Sequence, residues 1–227
     1  MQKTVLVLAL FLMLDASAAD KPEAPKSTPK AAATAADWTP LFDGKSLTGW
    51  KISDFAAAGG VSFEPKVDGG PAIVVDQGEV LSGVTYTNPV PLVNYEIALE
   101  GMKLGGSDFF CGLTFPVKDS HATLVLGGWG GGVVGISSID GSDASENETT
   151  KYLKFDKNVW YRVRVRVTTD KLEAWLDDEK IADVELAGKK IALRPGEIES
   201  AIPLSLSTYQ TRAAYRNVKL KKLEGTK

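Results

Sequence analysis

Only one histidine, His121, is available to this chain of 227 residues. The usual metal sites of two or three histidines are therefore excluded, and a Ser-His-Asp triad would have to run through this one imidazole. His121 stands at a turn before an apolar run, a position that suits a general base or an ordinary solvated histidine. The one cysteine, Cys111, is flanked by Phe110 and Leu113 and reads as a buried, inert thiol. Carboxylates are more plentiful. The Glu-x-Asp-x-x-Glu strand motif of sandwich-fold glucanases, which sets acid and nucleophile about 5 Å apart on one face, does not occur. Glu173 and Asp177 share a strand with Trp175 but lead into a hairpin turn, where structural roles suffice. The acidic stretch from Asp140 through Asp143 and Glu146 to Glu148 offers oxygen ligands at a spacing that could hold calcium. It does not match the EF-hand, and a solvated loop is the plainer reading. Asn147-Glu148-Thr149 also matches the N-glycosylation triplet.

Aromatic and basic residues point toward sugar. Trp129 sits among glycines in Leu124-Val-Leu-Gly-Gly-Trp129-Gly-Gly-Gly. Glycines let a ligand or another backbone approach closely, and an exposed indole is a platform on which a pyranose stacks. The alternative is a turn whose tryptophan plugs the end of the fold. Arg162, Arg164 and Arg166 form a row that either faces solvent or grips an anionic glycan.

The elements that position these residues read as strands. Helical periodicity is almost absent, and period-two alternation recurs between Gly, Pro, Asn and Asp punctuation. In Trp160 to Thr168, residues Tyr161, Val163, Val165 and Val167 fall on one face and the three arginines on the other. Lys171 to Leu176 and Lys180 to Leu186 make a hairpin about Asp177-Asp178. Tyr95 to Leu104, Asp108 to Val117, His121 to Gly127, Val133 to Ile139, Ile202 to Gln210 and Tyr215 to Leu223 complete the set. The pattern predicts an all-β fold of two antiparallel sheets, a jelly-roll sandwich.

The N-terminus has a different character. Val5 to Leu14 is a run of ten apolar residues followed by Ala16-Ser17-Ala18, the pattern of a secretory signal over residues 1–19. As a helix the run covers about 15 Å, half a bilayer core, so no stable membrane insertion is expected. Residues 20–36 are Pro, Ala, Lys and Thr with no large apolar side chain, a linker composition. The sandwich domain is expected over residues 37–225. These features predict a secreted or periplasmic, cell-envelope protein. A net charge of −3 lacks the basic footprint of a nucleic-acid binder.

Trp38-Thr-Pro-Leu-Phe-Asp-Gly-Lys-Ser-Leu-Thr-Gly-Trp50 resembles the opening signature of the 3-keto-disaccharide hydrolase domain family, nearly complete from Leu41 to Trp50. Tyr215-Arg-Asn-Val-Lys-Leu220 is similar to its closing element, and Trp160 to Val184 to its strand and hairpin. The resemblance spans Trp38 to about Leu223. It implies a concanavalin A-like jelly roll and cleavage of 3-keto-glycosides by elimination and hydration, in which a C3 ketone acidifies the C2 hydrogen. Such a site needs a base and a group that polarises the ketone, either donors or a cation such as calcium or manganese. His121 and Asp108 are the candidate bases. Trp129, Asp140, Asp143, Glu146 and Arg212 are the candidate substrate-binding residues. Ser107-Asp-Phe-Phe-Cys-Gly112 stands where members carry Asn-Ser-Gly, and this departure supports an alternative, a non-catalytic carbohydrate-binding module. Within the signature, Asp43-Gly44 reads as a turn and Trp50 as core. The oligomeric state is left open.

Overall fold

The computed structural model describes residues 37–224. The predicted signal and linker lie outside the described residues. Within them two sheets form, and every neighbouring strand pair is antiparallel. Numbered along the chain, the strands of sheet I run in spatial order β13 (Glu179–Glu185), β12 (Lys171–Leu176), β11 (Trp160–Val167), β6 (Tyr95–Gly106), β15 (Thr211–Lys222), β4 (Gly70–Val75) and β3 (Val61–Val67). The short β1 (Thr39–Pro40) also pairs with β15. Sheet II runs β10 (Lys151–Tyr152), β9 (Val133–Ser137), β8 (Ser120–Gly128), β7 (Cys111–Val117), β14 (Leu204–Tyr209), β5 (Leu81–Tyr86) and β2 (Trp50–Ile52). The architecture is the expected jelly-roll sandwich.

Alternation decides which residues meet between the sheets. On β11, Val163, Val165 and Val167 are buried in the core. On β7, Cys111, Leu113, Phe115 and Val117 do the same from the opposite side. Burial pushes the Cys111 thiol up to about 12, as an inert thiol requires. Two core tyrosines reach across: the Tyr215 hydroxyl of sheet I donates to the Phe110 carbonyl at 2.6 Å, and the Tyr95 hydroxyl donates to the Pro116 carbonyl. In the arginine row Arg162 is exposed beside Asp177 and Asp178, whereas the other two are tied within the sheet. Arg166 pairs with Glu96 at 2.6 Å, Arg164 pairs with it at 3.1 Å, and the Arg164 guanidinium stacks 3.7 Å from the Trp175 ring centroid.

The Leu41–Trp50 signature is a structural crossing. The Leu41 amide donates to the Val218 carbonyl on β15, and Trp50 opens β2 on the other sheet. Between them the Asp43 carboxylate accepts from the Lys45 and Ser46 amides, which holds its pKa below the ordinary value. Gly44 takes φ +70, a left-handed turn that L side chains rarely adopt. The buried Trp50 indole then donates back to the Leu41 carbonyl at 2.9 Å.

Two outcomes are expected. Trp50→Ala should lower stability by about 3–5 kcal/mol in a urea titration, the range for a large buried aromatic. Cys111 should ignore a thiol reagent in the native protein and react once urea unfolds it; reaction at native conditions would contradict its burial.

Candidate functional site

The face of sheet II turned away from the core forms a floor of small residues. Cross-strand register places Thr85, Ser205, Thr114, Thr123 and Ser137 in one row from β5 to β9. The adjacent row is Gly83, Ser207, Gly112, Val125 and Gly135. In the first row the Thr114 and Thr123 hydroxyls lie 2.9 Å apart and Thr85 lies 2.8 Å from Ser53, while the buried Ser205 hydroxyl has no partner among the described residues. Gly135 has a specific reason to be glycine. A Cβ there would come within 2.8 Å of the Ala144 carbonyl, because the acidic loop lies directly on the sheet. Ala144 in turn packs on Val125 and Val133.

A strap over residues 187–203 roofs part of this floor. Its backbone pairs with the end of β9, where the Ser138 amide donates to the Ala192 carbonyl at 2.7 Å. Its tip is held by side chains. Arg194 pairs with Asp143 at 3.1 Å, and Glu197 accepts from the Ala56 amide at 3.2 Å. Between floor, strap and rim loops lies a cavity of about 430 Å³. Thr123, Val125 and Ser137 form its base, with Phe109 and Tyr209 in tilted contact beside them at a ring separation of 5.9 Å. Asp108, Trp129, Asp143, Arg194 and Glu197 supply its functional groups.

Three of the seven sequence candidates thus meet. Asp108 takes the Phe109 amide on one oxygen and the Gly130 amide on the other, both at 2.8 Å. That carboxylate stops the strand expected from Asp108, so β7 begins only at Cys111. Behind it the Lys103 ammonium donates to the Asp108 carbonyl at 3.2 Å, and burial pushes its pKa below the ordinary lysine value while the Asp108 charge partly restores it. Trp129 is 44% exposed at the mouth, with the Arg194 guanidinium 5.9 Å from its ring centroid. It therefore does not plug the end of the fold. Asp143 accepts from the Ser137 hydroxyl as well as from Arg194.

The other four lie outside the cavity lining. His121 shares the floor's face but stands one step of about 7 Å along β8 from Thr123. It is half-buried there, and burial lowers its pKa from the ordinary 6.5. Asp140 bonds Lys189 and the Lys190 amide, Glu146 is exposed, and Arg212 pairs with Asp76 at 2.7 Å on sheet I. The acidic loop does not converge on a cation. Its carboxylates turn to Lys189 and Arg194, and no group of three His, Cys, Asp or Glu among the described residues is placed to hold one. The Asn147 side-chain nitrogen is also committed, donating to the carbonyls of Ile136, Ser142 and Asp143. A glycan there would displace these bonds, so the triplet serves the loop's own structure.

Sequence reasoning missed Arg194, Glu197, Phe109 and Tyr209. The strap has no periodicity to mark it, and only the Arg194-Pro195-Gly196-Glu197 charge pair about a turn signal hinted at it. The chemistry available is recognition of a polar, hydroxyl-rich ring with one apolar face, by carboxylates, a guanidinium and aromatic surfaces. One consequence concerns His121. Folding depresses its pKa, so the unfolded chain takes up the proton first as pH falls. Its contribution to stability is complete above about pH 6.5 and declines through that value toward the lower folded pKa. His121→Gln is expected to flatten a profile of urea midpoints over about pH 5 to 7; an unchanged slope would assign the acid sensitivity elsewhere.

A family model described as the 3-keto-alpha-glucoside-1,2-lyase-like domain matches residues 37–221. A search of curated proteins finds no match. Among solved structures, the carbohydrate-binding module CBM66 from Bacillus subtilis aligns with a TM-score of 0.50 at 12% identity, over 77% of this chain and 96% of that one. A provisionally assigned glycosyl hydrolase from Parabacteroides distasonis gives 0.50 at 18%, over 84% and 95%. A Bacillus subtilis protein of galectin-like fold gives 0.53 at 8%, over 83% and 96%. These likenesses establish the sandwich, and the family match establishes kinship in carbohydrate chemistry. The chain belongs to the 3-keto-alpha-glucoside-1,2-lyase-like domain family, the 3-keto-disaccharide hydrolase family that its Leu41–Trp50 signature resembles.

Proposed function

We propose that this chain, exported by its N-terminal signal, cleaves 3-keto-glucosides in the cavity beneath the strap. The observation that carries the reading is the meeting of Asp108, Glu197 and the Asp143–Arg194 pair around one sugar-sized recess with Trp129 at its mouth. Glu197 is the base in this scheme. Among the described residues its second carboxylate oxygen has no hydrogen-bond partner, whereas both oxygens of Asp108 already hold amides. Glu197 removes the C2 proton, Arg194 stabilises the enolate oxygen at C3, and the C1–O bond breaks. The proton passes to the leaving oxygen, giving an alcohol and an unsaturated 3-keto sugar. Water then adds its hydroxyl to C1 and, through the same carboxylate, its proton to C2. Trp129 holds the ring by stacking, and Asp108 orients it through a hydroxyl.

A second reading is favoured by one observation: each cavity carboxylate already has a partner within the protein. Such a site also suits binding without chemistry, as in a carbohydrate-binding module.

The two separate in one assay. Purified protein is incubated with 3-keto-trehalose and 3-keto-sucrose beside the parent disaccharides, with and without calcium or manganese. Release of 3-keto-glucose from the keto forms alone is expected. Glu197→Gln should lower kcat by about 10²- to 10⁴-fold, the worth of a general base. Trp129→Ala should raise KM with the fold intact. Saturable binding without product would instead establish the binding module.

A further inference from the structure

Beside the cavity, on the same rim, lies a second depression of about 590 Å³. Three loops build it: Ala57 to Gly59 after β2, Gln77 to Glu79 between β4 and β5, and Gln210, the single residue joining β14 to β15. The two recesses share their chain. Glu79 lines the depression while Val80 and Leu81 line the cavity, and Gln210 lines the depression while Tyr209 lines the cavity. A ridge of shared chain divides them. The Gln210 amide donates to the Val80 carbonyl at 3.0 Å, and its side chain donates to the Glu79 carbonyl at 2.9 Å. Val80 is 39% exposed and puts an apolar surface on that ridge.

The depression is built by main chain packed on main chain. A Cβ at Gly59 would meet the Asp76 carbonyl at 2.3 Å, and one at Gly78 would meet the Gly59 nitrogen at 2.7 Å. The Gly59 amide is further fixed by the Ser82 hydroxyl at 2.9 Å. Its shape is therefore set before any ligand arrives, which lowers the entropy cost of binding. Small residues leave the space open, and exposed Gln77, Glu79 and Gln210 bring amide and carboxylate groups to its wall. Donors and acceptors around an open recess, with an apolar step leading into it, suit a second hydroxyl-rich ring.

We propose that this depression is a subsite for the leaving group, reading a second sugar ring while the first occupies the cavity. The proposal rests on the cavity reading above and adds what selects the aglycone: Gln77, Glu79 and Gln210 bond its hydroxyls, and Val80 lies under the linkage. A simple alkyl glucoside leaves these groups to water.

The test uses sugars that elimination cannot consume. The full chain and its Gln77→Ala/Glu79→Ala variant are titrated calorimetrically with trehalose and with methyl α-glucoside. The wild type should bind trehalose roughly tenfold more tightly, the worth of one or two hydrogen bonds. The variant should lose that preference and bind methyl α-glucoside unchanged. Equal affinities in the wild type, or a preference that survives the double substitution, overturn the subsite and leave the cavity reading standing. Binding of neither sugar also overturns the subsite, while the cavity reading stands or falls on release of 3-keto-glucose from the keto forms.

Discussion

The hydroxyls of Tyr95 and Tyr215 lie in the core with no access to water, so each has to find its acceptor on the facing sheet. Tyr95 finds Pro116 and Tyr215 finds Phe110, both on the central strand of sheet II or its approach. Burial pushes both phenols well above their ordinary pKa, so neither loses its donor at accessible pH. These bonds fix more than sheet spacing. Phe110 follows Asp108 and Phe109, so the anchor that satisfies a buried phenol also sets the angle at which those two residues face the cavity. The Tyr215 hydroxyl also lies 3.1 Å from the carbonyl of Ser207, a residue of β14 in the outward row of sheet II.

Charge is organised on similar terms. On sheet I the cations of Arg164, Arg166 and Lys180 are taken up by Glu96, Glu173 and Trp175. On sheet II the Asp143–Arg194 pair holds down the tip of the strap while both partners still border the recess. A guanidinium kept in place by one carboxylate is pre-oriented for a second oxygen, because its fork of donors is planar and only partly used.

The strands were legible in the sequence wherever alternation was strong. Val163, Val165 and Val167 against three arginines could be read without ambiguity, and so could the hairpin at Asp177-Asp178. The β3–β4 hairpin and β5 were not named, because Pro65 and Gly83 interrupt their pattern. Asp108 and Trp129 could be found because a carboxylate beside aromatics and an indole among glycines are each unusual. His121 was chosen because it is unique, but its place on β8 is one step too far along. Arg194 and Glu197 were missed for a physical reason: they stand on a strap whose position depends on tertiary contacts with Asp143 and Ala56, and no local pattern encodes these.

The crossing from Leu41 to Trp50 contributes no residue to the cavity. Its turn, its buried indole and its amide bond to β15 answer only to the architecture, and selection on them is selection on folding. The residues that border the recess stand on loops and on the outward face of a sheet, where exchange leaves the crossing undisturbed. Within such a lineage the hallmark sequence and the substrate can drift independently. Two chains with identical crossings are kin by construction, and their diets are written elsewhere.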